Sequence, residues 1–222
     1  MATALSVDVE PDFPPHYGSY DGLTGLKVLA DTIRENKCNA TFFVCAEMLD
    51  KKPEIIDVMK GFEIGCHGLR HVDLTRMTEF QVSAELAEAA EIFDEHKIKA
   101  YGFRAPYCGV NYTVMNAVKK YFEYDSSMQF YSFGRMPGIK EMPVYTGGKM
   151  FGVSPRWFNL INKIPLKNKV YFTHPWEYAG FDFTKIMKKR QNLKKYGYAK
   201  ENYLTNLKTL LEEKTVSIKE LL

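Results

Sequence analysis

The sequence lacks any apolar run long enough to form a membrane-spanning helix. Its apolar stretches, such as Met150–Val153, are only a few residues long, whereas a span takes about 20 residues. It also has no internal repeat, no low-complexity tract and no Gly/Ser linker, so nothing indicates a repeat protein or a flexible tether. Neither sign of charge is in large excess, because the formal net charge is only +3. We therefore expect no nucleic-acid partner.

The N-terminus lacks the basic and apolar regions of a secretory signal peptide, so we expect a cytoplasmic protein. Cysteine is sparse, and no two cysteines form a Cys-x-x-Cys pair. We expect free thiols in a reducing compartment at Cys38, Cys45, Cys66 and Cys108.

Hydrophobic residues make up 45% of the 222 residues, enough for one well-buried core. We predict a single catalytic domain over residues 1–222. Short β-rich runs alternate with amphipathic segments, which indicates βαβ units and a parallel α/β sheet. Either a barrel of about seven units or a doubly wound open sheet fits this length. The predicted strands are Thr3–Val9, Ala40–Val44, Gly61–Gly65, Ala100–Phe103, Phe122–Ser126 and Lys169–Thr173, with a short strand over residues 215–217 after the last helix. The predicted helices are Leu23–Asn36, Glu54–Lys60, Thr78–His96, Tyr112–Lys120 and Ala199–Glu213.

Polar side chains follow most of these strands, at the end where α/β proteins place their active sites. Asp8 and Glu10 share one face of an extended segment. His67 and His71 have the i, i+4 spacing that can bring two imidazoles to one metal ion. A carboxylate and two histidines with open coordination positions are typical of hydrolytic zinc sites.

Three further residues of this kind follow later strands. Arg104 precedes a proline-containing turn and could neutralise a buried carboxylate. Asp125 and His174 end two other strands, and His174 is followed by Pro175 and Trp176. We expect all of these side chains to lie at the same end of the sheet.

These motifs, in this order, resemble those of the polysaccharide deacetylase family, carbohydrate esterase family 4. The resemblance spans nearly the whole chain and implies a distorted (β/α) barrel with about seven units. It rests on the segments Ser6–Glu10, Thr41–Val44, His67–His71, Phe103–Tyr107, Tyr124–Ser127 and Phe172–Glu177.

The resemblance also implies roles for individual residues. Asp8 matches the catalytic base, Arg104 the residue that holds it, His174 the general acid, and Asp125 the acid that tunes His174. The residues that match metal ligands are Glu10, His67 and His71. The metal is expected to be zinc, with cobalt, nickel or manganese as alternatives. The residues expected to contact substrate are Pro106, Tyr107 and Trp176, with the Tyr107 N–H helping to stabilise an oxyanion.

The implied reaction is hydrolytic removal of an N-acetyl group from an amino sugar, with release of acetate. The substrate would be an oligosaccharide or a glycan precursor. Many family members have adjacent aspartates in the first motif, whereas Val9 separates the two acids here. Gly68 and the pair Ser127-Met128 also depart from the usual pattern. These departures resemble a subgroup associated with surface-glycan biosynthesis.

Two alternatives stay open. The same subgroup includes enzymes that hydrolyse small cyclic amides or ureides, some apparently without a metal. A closed pocket would favour them, whereas an open groove lined by Tyr107, Tyr131 and Trp176 would favour a glycan. The other alternative is a catalytically silent glycan-binding relative.

Two segments have no assigned role. Residues 129–165 could shape substrate choice, and the basic residues within 185–200 could contact an anionic partner. The sequence does not indicate an oligomeric state.

Overall fold

The structure is a computed structural model, and it describes residues 2–12, 19–132, 138–180 and 196–222. The described residues form eight strands, all parallel, in one sheet with the order β6-β5-β4-β3-β2-β1-β8-β7. The strands are β1 (Ala2–Val9), β2 (Thr41–Val44), β3 (Glu63–Cys66), β4 (Gly102–Phe103), β5 (Tyr124–Asp125), β6 (Lys140–Glu141), β7 (Val144–Gly147) and β8 (Asn168–Thr173).

The sheet curls toward a closed barrel. Residues that follow β5 pair with β7 near the far edge of the sheet, in a parallel bridge between Gln129 and Val144. Two backbone hydrogen bonds support it, from Phe130 N to Val144 O at 2.8 Å and from Val144 N to Met128 O at 2.7 Å. This geometry confirms the predicted α/β barrel.

Seven α-helices lie within the described residues. They are α1 (Thr24–Glu35), α2 (Glu47–Lys51), α3 (Glu54–Met59), α4 (Glu79–Glu95), α5 (Tyr112–Val118), α6 (Pro155–Asn162) and α7 (Glu201–Leu211). Each predicted helix is present with slightly shorter bounds, whereas α2, α6, β6 and β7 were not predicted. The short strand expected after α7 forms only an isolated bridge, between Val216 and Ala4. Of the described helices, none is both long and apolar enough to cross a bilayer.

Local sequence accounts for the longer helices. In α1 the buried face consists of apolar residues at helical spacing, including Leu26, Leu29 and Ile33, which is the pattern of a helix packed on a core. Helix α4 begins at a capping box in which the side chains of Thr78 and Gln81 each accept a hydrogen bond from the other's backbone N–H. That arrangement satisfies two of the donors left free at a helix start.

The two faces of β1 point into different layers. Leu5, Val7 and Val9 belong to the large core between the sheet and the surrounding helices. Ala4, which lies on the other face, packs in a smaller cluster with residues such as Phe43 and Tyr124. Because side chains alternate along a strand, Ser6 and Asp8 share the Ala4 face. The barrel interior therefore receives polar groups from β1 as this strand nears its carboxyl end.

Glycines leave room for the aromatic rings of the interior. A Cβ atom at Gly102 would lie 2.1 Å from the Tyr124 ring, and one at Gly147 would lie 2.0 Å from the Phe172 ring. Both distances are far below van der Waals contact, so these strand positions accept no side chain. Small residues opposite large ones fit the limited volume of a small barrel.

Candidate active site

The carboxyl end of β1 places two acids in a nearly closed interior. Asp8 is 3% exposed and Glu10 is 8% exposed. Such burial opposes a charged carboxylate unless a cation or several donors compensate it. Each of the two acids meets a different set of partners.

The partner of Asp8 is Arg104, which follows β4 and is completely buried. Its Nη1 donates to Asp8 Oδ1 at 2.8 Å and to Ser6 Oγ at 2.7 Å. Its Nε and Nη2 donate to the carbonyl oxygen and the hydroxyl of Ser126, each at 2.8 Å. The guanidinium carbon lies 4.4 Å from the centre of the Phe43 ring. These contacts fix Arg104, and Arg104 in turn holds one oxygen of Asp8.

Glu10 faces two imidazoles. Its Oε2 lies 3.1 Å from His67 Nε2 and 2.7 Å from His71 Nε2. One ligand atom from each of these three residues lies within 4.8 Å of the others. Burial by itself would raise the pKa of Glu10, but His174, His67 and His71 together hold that pKa far below its usual value of 4.5.

The hydrogen bonding of His67 suits a metal ligand. Its Nδ1 lies 2.7 Å from the carbonyl oxygen of Arg104, which can only accept a hydrogen bond. Nδ1 therefore carries the hydrogen, and in a neutral imidazole Nε2 then directs a lone pair toward Glu10. A backbone carbonyl that orients the ring in this way is typical of metal-bound histidines. A carboxylate and two imidazole nitrogens suit zinc and related divalent ions, so these residues fit the predicted metal.

His174 follows β8 and approaches the same cluster from another side. Among the described residues, two carboxylates lie within ion-pair distance of its ring. Glu10 Oε1 is 3.7 Å from Nε2, and Glu177 Oε1 is 3.3 Å from Nδ1. Burial alone would lower the pKa of His174, but Glu177, Glu10 and Asp8 raise it to about 9. A protonated imidazole at neutral pH can act as a proton donor.

The contacts of Asp125 differ from those predicted. We expected this acid to tune His174, but the structure places Glu177 there instead. Asp125 accepts hydrogen bonds from the backbone N–H and the hydroxyl of Ser127, at 3.0 and 2.7 Å. The Ser127 hydroxyl also accepts from the backbone N–H of Ala105 at 2.8 Å. Asp125 is thus connected to the segment that follows β4.

A second acid, Glu141 on β6, is the register partner of Asp125 on β5, and its Oε2 is buried with no hydrogen-bond partner among the described residues. Two carboxyl groups this close can satisfy each other only when one of them is protonated. Burial and the neighbouring Asp125 raise the pKa of Glu141 far above its usual value, and burial also raises the pKa of Asp125. The pair therefore retains one proton at neutral pH.

Pro106 and Tyr107 lie in a tight turn beside the Glu10/His67/His71 cluster. Tyr107 has a φ of 59°, a left-handed conformation that costs a residue with a Cβ roughly 1–2 kcal/mol. Strained backbone of this kind is concentrated at functional sites. The Tyr107 ring is 66% exposed and its centre is 4.4 Å from that of His71. An exposed aromatic ring next to the cluster is suitably placed to contact a ligand.

Trp176 is buried below the surface and does not line an open groove. It is 4% exposed, and its ring is stacked on His174 with centres 4.5 Å apart and an interplanar angle of 17°. A Cβ at Gly22 would approach Trp176 Cβ to 2.5 Å, which shows how closely the turn before α1 packs on it. The predicted substrate contact of Trp176 stays a prediction. Its observed role is to support the imidazole.

Sequence reasoning missed Glu177 and Gly148. The available signal for Glu177 was an acid three residues after His174 in a turn that begins with Pro175. Gly148 has a φ of 33°, and a Cβ there would lie 2.9 Å from Glu177 Oε1 and 3.5 Å from His174 Cε1. No pattern within residues 129–165 indicated that this glycine lies against the site.

The two segments without an assigned role are only partly described. Residues 133–137 and 181–195 lie outside the described residues, so the roles expected for residues 129–165 and for the basic 185–200 segment stay predictions. Elsewhere in these segments, Trp157 on α6 is 40% exposed and makes an edge contact with Tyr196 at 5.5 Å. Tyr131 is 64% exposed and contacts Phe130.

Residues 17–123 match the family model described as polysaccharide deacetylase. This match bears out the predicted resemblance over a little under half of the chain. The matched region includes His67, His71 and Arg104, whereas Asp8, Glu10 and His174 lie outside it. A comparison with curated proteins finds no match.

Solved structures with this fold are similar to the chain along almost its whole length. A Mycobacterium smegmatis protein assigned to the polysaccharide deacetylases has 18% identity and a TM-score of 0.71, covering 99% of this chain and 88% of that one. Peptidoglycan deacetylase PdaC from Bacillus subtilis has 16% identity and a TM-score of 0.62, covering 99% and 89%.

A third similar structure is BA3943, a carbohydrate esterase family 4 pseudoenzyme from Bacillus anthracis. It has 12% identity and a TM-score of 0.64, covering 99% of this chain but 64% of that one. The present chain therefore spans less than two thirds of that relative. At these identities the likeness establishes the fold alone, and both enzymes and a pseudoenzyme share it.

Proposed function

We propose that this member of the polysaccharide deacetylase family is a metal-dependent hydrolase that removes an N-acetyl group from an amino sugar and releases acetate. The observation that carries the proposal is the convergence of three groups in one buried site. These are the Asp8–Arg104 pair, the Glu10/His67/His71 cluster, and His174 with its raised pKa. A general base, a ligand set and a proton donor are the groups that amide hydrolysis needs.

Glu10, His67 and His71 would hold a divalent cation, proposed to be zinc. When bound, it would polarise the amide carbonyl and make water a better nucleophile. His67 is held in the required tautomer by the Arg104 carbonyl. Glu10 supplies the negative charge that offsets part of the charge of the cation.

Asp8 is the proposed base. Within the described residues, its side chain accepts its hydrogen bond from Arg104 through Oδ1, which leaves Oδ2 to accept a proton from the attacking water. Arg104 is fixed by Ser6 and Ser126, so the carboxylate cannot swing away as charge moves. A general base of this kind contributes about 10²–10⁴ in rate.

His174 is the proposed acid. Its Nε2 faces the cluster at 3.7 Å from Glu10 Oε1, where it can donate a proton to the departing nitrogen as the carbon–nitrogen bond breaks. The products are acetate and the free amine, and the proton taken by Asp8 balances the one that His174 gives. The Tyr107 N–H is proposed to donate to the developing oxyanion.

The substrate is proposed to be a glycan or glycan precursor. The exposed Tyr107 ring beside the cluster supports it, because aromatic rings offer apolar area with little entropic cost. A cytoplasmic protein would act on a precursor in preference to a finished wall. The four cysteines are free thiols, which is compatible with a reducing compartment.

Acetate release from a panel of N-acetyl amino sugars tests the proposal. The panel contains free, oligomeric and nucleotide-linked sugars, each assayed with zinc, with chelator and with Asp8→Asn as the blank. Acetate that requires both metal and Asp8 is the expected result. Metal-independent hydrolysis of a small cyclic amide in place of acetate release would favour the ureide alternative. A third outcome, in which glycans bind and no substrate is hydrolysed, would favour the catalytically silent alternative, and the similar fold of a pseudoenzyme is the reason to test for it.

A further inference from the structure

Glu177 is the last residue of the Phe172–Glu177 motif, but the resemblance assigned no role to its side chain. It ends the short turn Pro175–Glu177 that follows β8, and only 1% of its surface is exposed. A buried carboxylate is costly unless charged or hydrogen-bonding partners compensate it. The partners of Glu177 are the imidazole and the backbone of His174 together with the hydroxyl of Thr173.

One oxygen of Glu177 is anchored to the local backbone. Oε2 accepts a hydrogen bond from the backbone N–H of His174 at 3.0 Å and another from the Thr173 hydroxyl. These two bonds fix the plane of the carboxylate. They also leave Oε1 at 3.3 Å from His174 Nδ1, which is an ion-pair contact and not a hydrogen bond, because Nδ1 has no hydrogen-bond partner among the described residues.

The faces and edges of the imidazole are confined by other groups. Trp176 is stacked on one face, and Phe172 meets the ring at 87° with centres 5.5 Å apart. Gly148 lies against the edge that carries Nδ1 and Cε1, where a Cβ would lie 2.9 Å from Glu177 Oε1. Packing thus holds the ring, while the choice of which nitrogen faces the cluster depends on the partner of Nδ1.

We propose that Glu177 is the positioning residue that orients His174, keeping a hydrogen on Nδ1 and directing Nε2 toward the reacting nitrogen. Asp125, to which the family pattern assigns this task, instead accepts hydrogen bonds from Ser127 and lies opposite Glu141 in the sheet. The part that this orientation plays in proton donation rests on the proposed function. The orientation itself does not, because it follows from contacts within residues 172–177.

The experiment compares wild type with Glu177→Gln. Glutamine keeps the size and one acceptor but removes the charge opposite Nδ1. Glu63→Gln is the matched control, because Glu63 is a hydrogen-bonded carboxylate at the start of β3, the opposite end of that strand from the site. Both variants are loaded with zinc, and zinc affinity is measured by titration calorimetry.

The first readout needs no activity. Imidazole ¹⁵N spectra of histidine-labelled protein are recorded, and His174→Asn identifies the His174 signals by their loss. We expect wild-type signals of a ring with hydrogen on Nδ1, altered in Glu177→Gln and unchanged in Glu63→Gln. Unchanged His174 signals in Glu177→Gln would overturn the proposal, whatever reaction the protein catalyses.

The second readout separates proton donation from general damage. Turnover of an N-acetyl amino sugar, whose leaving amine needs a proton, should fall about 100-fold or more in Glu177→Gln. KM and zinc affinity should stay within about twofold. Turnover of an aryl acetate should change by less than about threefold, since its phenolate departs without a proton. Equal losses on both substrates would overturn the proposed role. If wild type releases no acetate from any sugar, the proposed function fails, and the spectra alone decide the orientation.

Discussion

Arg104 and Asp8 are 96 positions apart in the chain, yet Arg104 Nη1 donates to Asp8 Oδ1 at 2.8 Å in a region that excludes solvent. Because a buried guanidinium always carries its charge, it needs a fixed counter-charge close by. Asp8 supplies that charge, and Ser6 and Ser126 occupy other donors of the guanidinium. The pair therefore links the stability of the barrel interior to the geometry of the proposed base.

Replacing Asp8 by Asn tests this link. Turnover should fall about 100-fold or more, because the base is lost, while zinc affinity stays near that of wild type. Unfolding free energy should also fall, by up to about 3–5 kcal/mol, since Arg104 loses its counter-charge. Acetate release, zinc calorimetry and urea unfolding measure the three effects.

Ser6→Ala is the control for that substitution. It removes one hydrogen bond to the same Arg104 nitrogen but no charge, so we expect a loss of only about 1 kcal/mol. Loss of zinc from Asp8→Asn would contradict the assignment and make Asp8 a metal ligand.

Replacing His67 by Ala should abolish tight zinc binding. The substitution removes one of three converging ligand atoms, and we expect affinity to fall more than 100-fold, with activity lost in parallel. His96→Ala is the matched control, because His96 also pairs with a carboxylate, Asp50 Oδ1 at 2.8 Å, but away from the cluster. Full activity in metal-free His67→Ala would favour the ureide alternative.

Stability should fall as pH rises because Asp125 and Glu141 share a proton. The pKa of Glu141 is raised far above its usual 4.5 in the folded protein. Between pH 4.5 and that higher pKa, the folded state binds more protons than the unfolded chain, so unfolding free energy declines as pH increases. One extra bound proton gives a slope of at most about 1.4 kcal/mol per pH unit.

Glu141→Gln should reduce this decline. The amide can donate to Asp125 at every pH, as the protonated acid does. Urea unfolding of both proteins at several pH values between 6 and 9 provides the measurement. Parallel curves for the two proteins would show that the carboxyl pair does not hold the proton.

Replacing Gly148 by Ala should impair catalysis without releasing the metal. Its Cβ would lie 2.9 Å from Glu177 Oε1, so the turn or the carboxylate must shift, and His174 would shift with it. We expect kcat to fall about tenfold or more, since small displacements of catalytic groups are costly. Gly180→Ala is the control, because a Cβ there meets no atom of the described residues within 4 Å. An unaltered kcat in Gly148→Ala would contradict this prediction, because it would mean that the Pro175–Glu177 turn shifts without displacing His174.

Much of the fold could be predicted from local pattern. The apolar spacing of Leu26, Leu29 and Ile33 predicted α1, and the run Ala40–Val44 predicted β2, which begins one residue later in the structure. Strand β6 and helix α6 were missed for different reasons. Strand β6 has only two residues and no period to detect. Helix α6 begins at a proline within a glycine-rich stretch, where the sequence favours a loop.

The sequence by itself determined which residues gather at one end of the barrel. Alternation along β1 puts Ser6 and Asp8 on one face, and parallel strands bring the residues after β3, β4 and β8 to the same edge. Only the tertiary structure decided which carboxylate lies beside the His174 imidazole. Asp125 ends β5 and His174 follows β8, two strands that are not neighbours in the sheet. A linear pattern specifies the face and the end of a strand, but distances of about 3 Å depend on register, barrel closure and side-chain rotamers. Those factors place Glu177, and not Asp125, beside the imidazole.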